Sequence, residues 1–242
     1  MRRSLAISLL GLWIAATPAG AALIYNETFT TNGSGTRYTV TGGGVAAGNQ
    51  DYWTRSGGAI NPFNPAPGMG TYWAGRDLDE NFGGTTAIPR AVQTTSASAV
   101  SLAGYTALTM SILLAANTNA WESNQPDSLR LYMVNYSAGG ALTLLDTFLP
   151  TGLVDTNLRS TVYGTSLSAT FTRYTYNLPL TIGNVGFRLE ASATGDLEFL
   201  GFDDIRIEGT LVPEPSSGAL VALGLLIIGA SARRARTRSL TA

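Results

Sequence analysis

The absence of histidine and cysteine decides which chemistry this chain can do. Its 242 residues include neither, which excludes nucleophiles activated by histidine, metal sites with imidazole or thiolate ligands, and disulfide bonds. Carboxylates, other oxygen ligands and aromatic rings remain. The sequence therefore leaves open a carboxylate pair, an oxygen-ligated cation, or a surface that binds without reacting.

The densest acidic segment, Asp77-Leu78-Asp79-Glu80, follows Tyr72-Trp73. Three carboxylates in four residues are suited to hold Ca²⁺ or to accept hydrogen bonds from sugar hydroxyls beside an aromatic ring. We therefore take Asp77 and Asp79 as candidate ligand-binding residues. The alternative is a solvated loop in which Asp77 or Asp79 makes only local turn contacts.

Three tryptophans lie outside the N-terminal apolar segment. Trp53 and Trp121 border loops rich in Asn, Gly and Pro, so we predict that they are exposed and stack on sugar rings. Trp73 lies within a candidate strand, so we predict that it belongs to the core.

A glycosidase would need two carboxylates ~5–10 Å apart. Glu190 and Glu198, or Asp77 and Glu80, supply suitable residue types. No segment, however, concentrates acids and aromatics at alternating strand positions, as a catalytic cleft on a sheet would. We therefore predict that the protein is not an enzyme, with a polysaccharide-active hydrolase as the alternative.

The elements that carry these residues are β-strands, because short runs rich in Val, Ile, Tyr, Phe and Thr recur between Gly, Asn and Pro clusters. Apolar and polar residues alternate over 105–115, 129–133, 185–190 and 204–208. Less regular strand candidates are 23–29, 52–54, 71–75, 91–95, 141–148 and 171–178. About ten strands predict an all-β fold, a two-sheet antiparallel β-sandwich of jelly-roll type spanning residues 23–212. Residues 42–70 are predicted to be mostly loop around Tyr52-Trp53.

Charge is distributed unevenly along the chain. All 15 basic residues are arginines. Residues 22–212 contain nine of them and 15 acidic residues, which gives this segment a net charge of −6. Nucleic-acid binding driven by excess positive charge is therefore excluded.

The N-terminus has the order of a secretory signal peptide, predicted as a helix over residues 1–22. Arg2-Arg3 precede an apolar run over 5–16, and Ala19-Gly20-Ala21 supplies a small-residue cleavage site. The predicted partners are the secretion translocon and signal peptidase. The alternative is an uncleaved anchor.

The C-terminus combines three features within residues 213–238. Pro213-Glu214-Pro215 precedes the uncharged, largely apolar residues 216–232, which as a helix would extend ~25 Å, the short limit for a membrane span. Four arginines follow the span: Arg233, Arg234, Arg236 and Arg238. Under the positive-inside rule this cluster remains in the cytoplasm, so the preceding body lies on the outer side of the membrane.

This terminus resembles the PEP-CTERM sorting signal, in which a Pro-Glu-Pro motif, a short transmembrane helix and an arginine cluster occur in this order. The resemblance implies recognition by an exosortase, a membrane protease or transpeptidase of Gram-negative bacteria that also make exopolysaccharide. It implies a precursor anchored in the inner membrane and a product at the cell surface or in the extracellular matrix. The alternative is an ordinary tail anchor.

The body resembles the jelly-roll sandwiches of carbohydrate-binding modules and MAM-like adhesion domains. The matching segments are Tyr25 to Phe29, Trp121-Glu122 with Asp127 to Leu131, and Gly201 to Ile207. The resemblance implies that the first and last strands are neighbours and jointly hold a structural Ca²⁺ through Glu27 with Asp203 or Asp204. The alternative is that these carboxylates are exposed and solvated.

These observations predict an exported, non-enzymatic surface or matrix protein associated with exopolysaccharide or biofilm. The alternative is a carbohydrate-binding module with an extracellular polysaccharide as its partner.

Overall fold

The computed structural model describes residues 20–45, 52–56, 63, 70–78, 89–124, 127–179, 183–195 and 197–212. These residues form fourteen strands: β1 (Ala21–Glu27), β2 (Tyr38–Thr41), β3 (Gly44–Val45), β4 (Tyr52–Ser56), β5 (Tyr72–Arg76), β6 (Arg90–Thr94), β7 (Val100–Ser101), β8 (Tyr105–Ala116), β9 (Ser128–Asn135), β10 (Ala141–Pro150), β11 (Leu158–Ser160), β12 (Thr172–Asn177), β13 (Asn184–Ser192) and β14 (Phe199–Leu211). Two single-turn 3-10 helices, Ser96–Ser98 and Tyr136–Ala138, complete the regular structure of the described part. The strands all lie within one compact unit, Ala21–Leu211.

The strands form two antiparallel sheets of seven. The first sheet has the order β12-β8-β14-β5-β4-β3, with β1 also paired to β14. The second has the order β11-β10-β9-β13-β6-β2, with β7 also paired to β13. The predicted all-β fold with two antiparallel sheets is therefore confirmed.

The long strand β14 organises the first sheet. Along one edge it pairs with β8, and along the other it pairs first with β5 through Phe199–Phe202 and then with β1 through Ile205–Thr210. The first and last strands are therefore neighbours, as the jelly-roll resemblance implied.

Apolar side chains from both sheets share one buried cluster. The predicted alternation decides which residues enter it, because successive side chains of a strand point to opposite faces. The buried members include Met110, Ile112 and Leu114 of β8, Leu129, Leu131 and Met133 of β9, Val185, Phe187 and Leu189 of β13, and Ile205 and Ile207 of β14. Each such side chain contributes ~1.5–3 kcal/mol by leaving water.

The outer faces of the two sheets differ. Part of the outer face of the first sheet is covered by a second buried cluster that includes Tyr52, Phe63, Tyr72 and Phe171. The outer positions of β9 and β13 instead carry Arg130, Tyr132, Arg188 and Glu190, which are half-buried or exposed.

Each of the ten predicted strands is present. The short strands β2, β3, β7 and β11 were not predicted, and β3 lies inside the segment expected to be loop. Ala21 and Ala22, predicted to end the signal peptide, begin β1. Within the described residues no helix has the length and apolar character needed to cross a membrane. The predicted signal helix up to residue 19, the predicted sorting motif, the predicted apolar span and the arginine cluster lie outside those residues.

Candidate functional site

A row of side chains crosses five strands on the outer face of the second sheet. Tyr132 of β9 lies opposite Leu144 of β10 on one side and Arg188 of β13 on the other. Arg188 lies opposite Gln93, which in turn lies opposite Thr39. Four strand spacings of ~4.8 Å make this row ~19 Å long.

A second row lies beside the first, because Arg130 of β9 is opposite Glu190 of β13. We call Arg130, Tyr132, Arg188, Glu190 and Gln93 together the Tyr132 face. Their apolar neighbours along the chain point into the core, which fixes the direction of these side chains outward.

Hydrogen bonds hold the polar groups of the Tyr132 face. Arg188 Nε donates to Glu190 Oε1 at 2.7 Å, and Arg188 Nη1 donates to Gln93 Oε1 at 2.8 Å. Gln93 Nε2 donates in turn to the hydroxyl of Tyr136 at 3.1 Å. Burial, followed by the charge of Glu190, raises the pKa of Tyr132, so the phenol remains neutral and able to donate a hydrogen bond.

This arrangement suits a ligand with many hydroxyls and apolar C–H faces. The guanidinium, carboxylate and amide groups offer fixed donors and acceptors, and the phenol ring offers an apolar surface with a polar tip. Leu144, which is 53% exposed, extends that apolar surface on the far side of Tyr132. The length of the row fits an extended polymer better than a single sugar.

The predicted exposure of Trp53 and Trp121 is wrong. Their exposed fractions are 1% and 0%, and Trp73, predicted to be in the core, is confirmed there at 4%. Trp53 packs edge-on against Trp73 at 5.7 Å between ring centroids, and a Cβ at Gly75 would lie 2.7 Å from its ring. Trp121 Nε1 donates to the carbonyl oxygen of Asn117 at 3.1 Å. Loop composition near an indole thus failed to predict its direction.

Glu27 is buried but already has a cationic partner. Its Oε2 accepts from Arg37 Nε at 2.7 Å, its Oε1 accepts from Arg37 Nη2 at 3.1 Å, and Oε1 also accepts from the backbone N–H of Phe29 at 2.9 Å. The alternative, an exposed and solvated Glu27, is therefore wrong, and an arginine neutralises the charge that the predicted Ca²⁺ would meet.

The two neighbouring aspartates of β14 differ in their partners. Asp204 Oδ1 accepts from Arg206 Nε at 2.8 Å, and its Oδ2 is ion-paired with Arg173. Asp203 is buried with no hydrogen-bond partner for Oδ1 among the described residues. Burial, followed by the charges of Asp204 and Glu27, raises the pKa of Asp203 to about 7. The structural Ca²⁺ at Glu27, Asp203 and Asp204 stays a prediction.

Asp77 directly follows β5, has a left-handed backbone conformation with φ of 45°, and is 3% exposed. The alternative of a solvated loop is therefore wrong at this residue. Asp79 and Glu80 lie outside the described residues, so the ligand-binding role of the acidic segment stays a prediction.

The structure describes the surroundings of two carboxylates considered for a hydrolase. Glu190 is ion-paired with Arg188, and Glu198 is fully buried beside Asp127. Sequence reasoning placed Tyr132, Arg188 and Glu190 on outward strand positions but did not join them into a site. The alternation of apolar and polar residues was enough to predict that these side chains point outward. The strand register that brings Gln93 beside Arg188 could not be predicted from the sequence.

No family model matches this sequence, and a search by sequence finds no match among curated proteins. Among solved structures, the chain is similar to the K3 cleaved adhesin domain of Lys-gingipain from Porphyromonas gingivalis, with 19% identity, a TM-score of 0.45, and coverage of 78% of this chain and 99% of that one. It is also similar to the CBM22-1 xylan-binding domain of Xyn10C from Paenibacillus barcinonensis, with 13% identity, a TM-score of 0.38, and coverage of 82% and 99%. Similarities this low establish neither a shared ligand nor a shared site.

Proposed function

We propose that this chain is an exported, non-enzymatic β-sandwich that binds polysaccharide through the Tyr132 face. The observation that carries the proposal is the position of the Tyr132 ring directly opposite Arg188, whose guanidinium is held by Glu190 and Gln93. Groups already fixed in this way lose little conformational entropy when a ligand binds.

The electrostatics of the face favour a hydroxylated ligand over a strongly charged one. Arg188 and Glu190 neutralise each other, and the remaining charge on the face is that of exposed Arg130. Neutral or weakly acidic polymers are therefore the expected ligands. The net charge of −6 over residues 22–212 disfavours the binding of nucleic acid.

Export and sorting complete the proposal. The N-terminal segment and the Pro213-Glu214-Pro215 terminus support secretion followed by exosortase processing, which would deliver the sandwich to the cell surface or matrix, where exopolysaccharide is present. Intact-mass measurement of the surface-released protein checks this step. We expect a species without Met1 and without Arg238, and a released species that retains either residue contradicts the sorting proposal.

Affinity electrophoresis in gels containing soluble neutral or weakly acidic polysaccharides tests the binding. We expect at least one polymer to retard the wild-type protein. Y132A should lose that retardation, because removing an aromatic ring that contacts the ligand costs ~1 kcal/mol or more, about a fivefold to tenfold rise in Kd.

Y163A is the matched control. Tyr163 is 45% exposed and packs beside Tyr174 and Tyr176, outside the Tyr132 face. Y163A should be retarded like the wild type. Equal retardation of Y132A and wild type by every polymer that binds contradicts the proposed face.

A further inference from the structure

Three loops meet at one end of the sandwich. They comprise residues 117–124 and 127 between β8 and β9, 151–157 between β10 and β11, and 193–195 with 197–198 between β13 and β14. Backbone hydrogen bonds join the first two loops, since Trp121 N–H donates to Thr156 O at 3.0 Å and Thr156 N–H donates to Trp121 O at 2.9 Å. A cleft of about 410 Å³ opens there, lined by Ala120, Glu122, Asp155, Thr194, Gly195 and Leu197.

Three carboxylates converge beside this cleft. Glu122 and Asp127 come from the first loop and Glu198 from the third, and one oxygen from each lies within 4.8 Å of the others. Glu198 is fully buried, Asp127 is 2% exposed and Glu122 is half-buried.

The hydrogen bonds of the cluster orient its acids but leave one oxygen without a partner. Asp127 accepts from the backbone N–H of Glu122 at 3.0 Å and from Thr194 Oγ1 at 3.1 Å. Glu198 Oε2 accepts from the backbone N–H of Gly195 at 2.6 Å. Glu198 Oε1 is buried and has no hydrogen-bond partner among the described residues.

No arginine compensates the cluster in the described part of the chain, where the ion pairs involve Glu27, Glu190 and Asp204 instead. An uncompensated buried carboxylate is costly, so the cluster must take up either a proton or a cation.

We propose that Glu122, Asp127 and Glu198 bind a divalent cation, Ca²⁺, at the loop end of the sandwich. Two oxygens that contact one Ca²⁺ at ~2.3–2.6 Å lie at most ~5 Å apart, which accommodates the observed separations. The unpartnered Oε1 of Glu198 supplies a ligand atom, and the half-buried Glu122 beside the cleft gives the ion a route from solvent. An exported domain meets enough Ca²⁺ to fill a site with a Kd of ~10⁻⁴–10⁻³ M.

Terbium luminescence and thermal unfolding of the full chain in detergent test the proposal. Tb³⁺ replaces Ca²⁺ at oxygen sites, and Trp121 is adjacent to Glu122 in the chain, so excitation of tryptophan should sensitise bound Tb³⁺. We expect millimolar Ca²⁺ to quench that emission. We also expect Ca²⁺ at a hundredfold excess over Kd to raise Tm by several degrees relative to EDTA.

The variants locate the ion. E198Q preserves side-chain shape but removes the charge, so the Ca²⁺-dependent Tm shift should disappear while Tm in EDTA rises. E122Q, at the half-buried position, should weaken the Ca²⁺ shift without threatening the fold. E208Q alters a carboxylate of β14 outside the cluster and should keep the full shift.

Two results overturn the proposal. If Tm is the same in Ca²⁺ and EDTA and no sensitised emission develops, the acids hold a proton. If D203N abolishes the shift while E198Q and E122Q retain it, the ion binds between β1 and β14 instead. Neither result depends on polysaccharide binding.

Discussion

Arg37 and Glu27 form a two-pronged ion pair, with 2.7 Å between Nε and Oε2 and 3.1 Å between Nη2 and Oε1. Glu27 is 2% exposed, whereas the Arg37 side chain is 39% exposed. The strand-end carboxylate of β1 is therefore neutralised from the solvent side by the residue just before β2.

Replacing Arg37 with methionine should destabilise the fold by ~1–3 kcal/mol, because Glu27 then remains buried without its cationic partner. Urea unfolding measures the loss. The double variant E27Q/R37M should recover part of it, since the unpaired charge is gone. A double variant no more stable than R37M would show that the pair contributes only through packing.

Asp203 should make stability depend on pH. Its pKa rises from 3.8 to about 7 on folding, so between those values the folded state retains a proton that the unfolded state has lost. The stabilisation of the folded state by this proton is complete below about pH 4 and is lost as the pH rises to about 7. Because one pKa unit corresponds to ~1.4 kcal/mol, we expect a loss of more than ~1 kcal/mol. Urea titrations from pH 4 to 8 should show a smaller decline in D203N, and equal declines would contradict the assignment.

Trp121 should behave as a core residue. W121A should destabilise by ~3–5 kcal/mol, because deletion of a buried indole leaves a cavity and removes the Nε1 hydrogen bond to Asn117. Y132A on the outer face should change the free energy of unfolding by ~1 kcal/mol or less. Denaturant titrations of the two variants provide the comparison. If W121A is as stable as the wild type, Trp121 is not a core residue and the exposed position predicted from the sequence is correct.

Strand periodicity was the part of the fold that the sequence predicted well. The alternation of Leu129, Leu131 and Met133 with Arg130 and Tyr132 placed β9 and its two faces correctly, because period-2 burial is a local property. The unpredicted β7 and β11 have two and three residues, too few to show any period.

The contacts between distant segments could not be predicted. Gln93, Tyr132 and Arg188 become neighbours only through the order β6-β13-β9, which sequence alternation does not specify. The ion pair between Asp204 and Arg173 is likewise long-range, and it occupies a carboxylate that sequence reasoning assigned to a metal.

Two changes in the C-terminal segment should distinguish anchoring of the precursor in the membrane from its recognition by an exosortase. Deleting Pro213 to Pro215 leaves the apolar span and its arginines intact, so the precursor should remain in the membrane uncut. Replacing Arg233, Arg234, Arg236 and Arg238 with serine leaves the motif intact but removes the topological signal, so retention should fall and the body should leave the cell unprocessed or be degraded. Fractionation followed by intact-mass measurement distinguishes these products from the wild-type species, which should be shortened near Pro215 and found outside the cell. If the motif deletion is processed at the wild-type rate, the segment acts as a simple tail anchor and exosortase is not its partner.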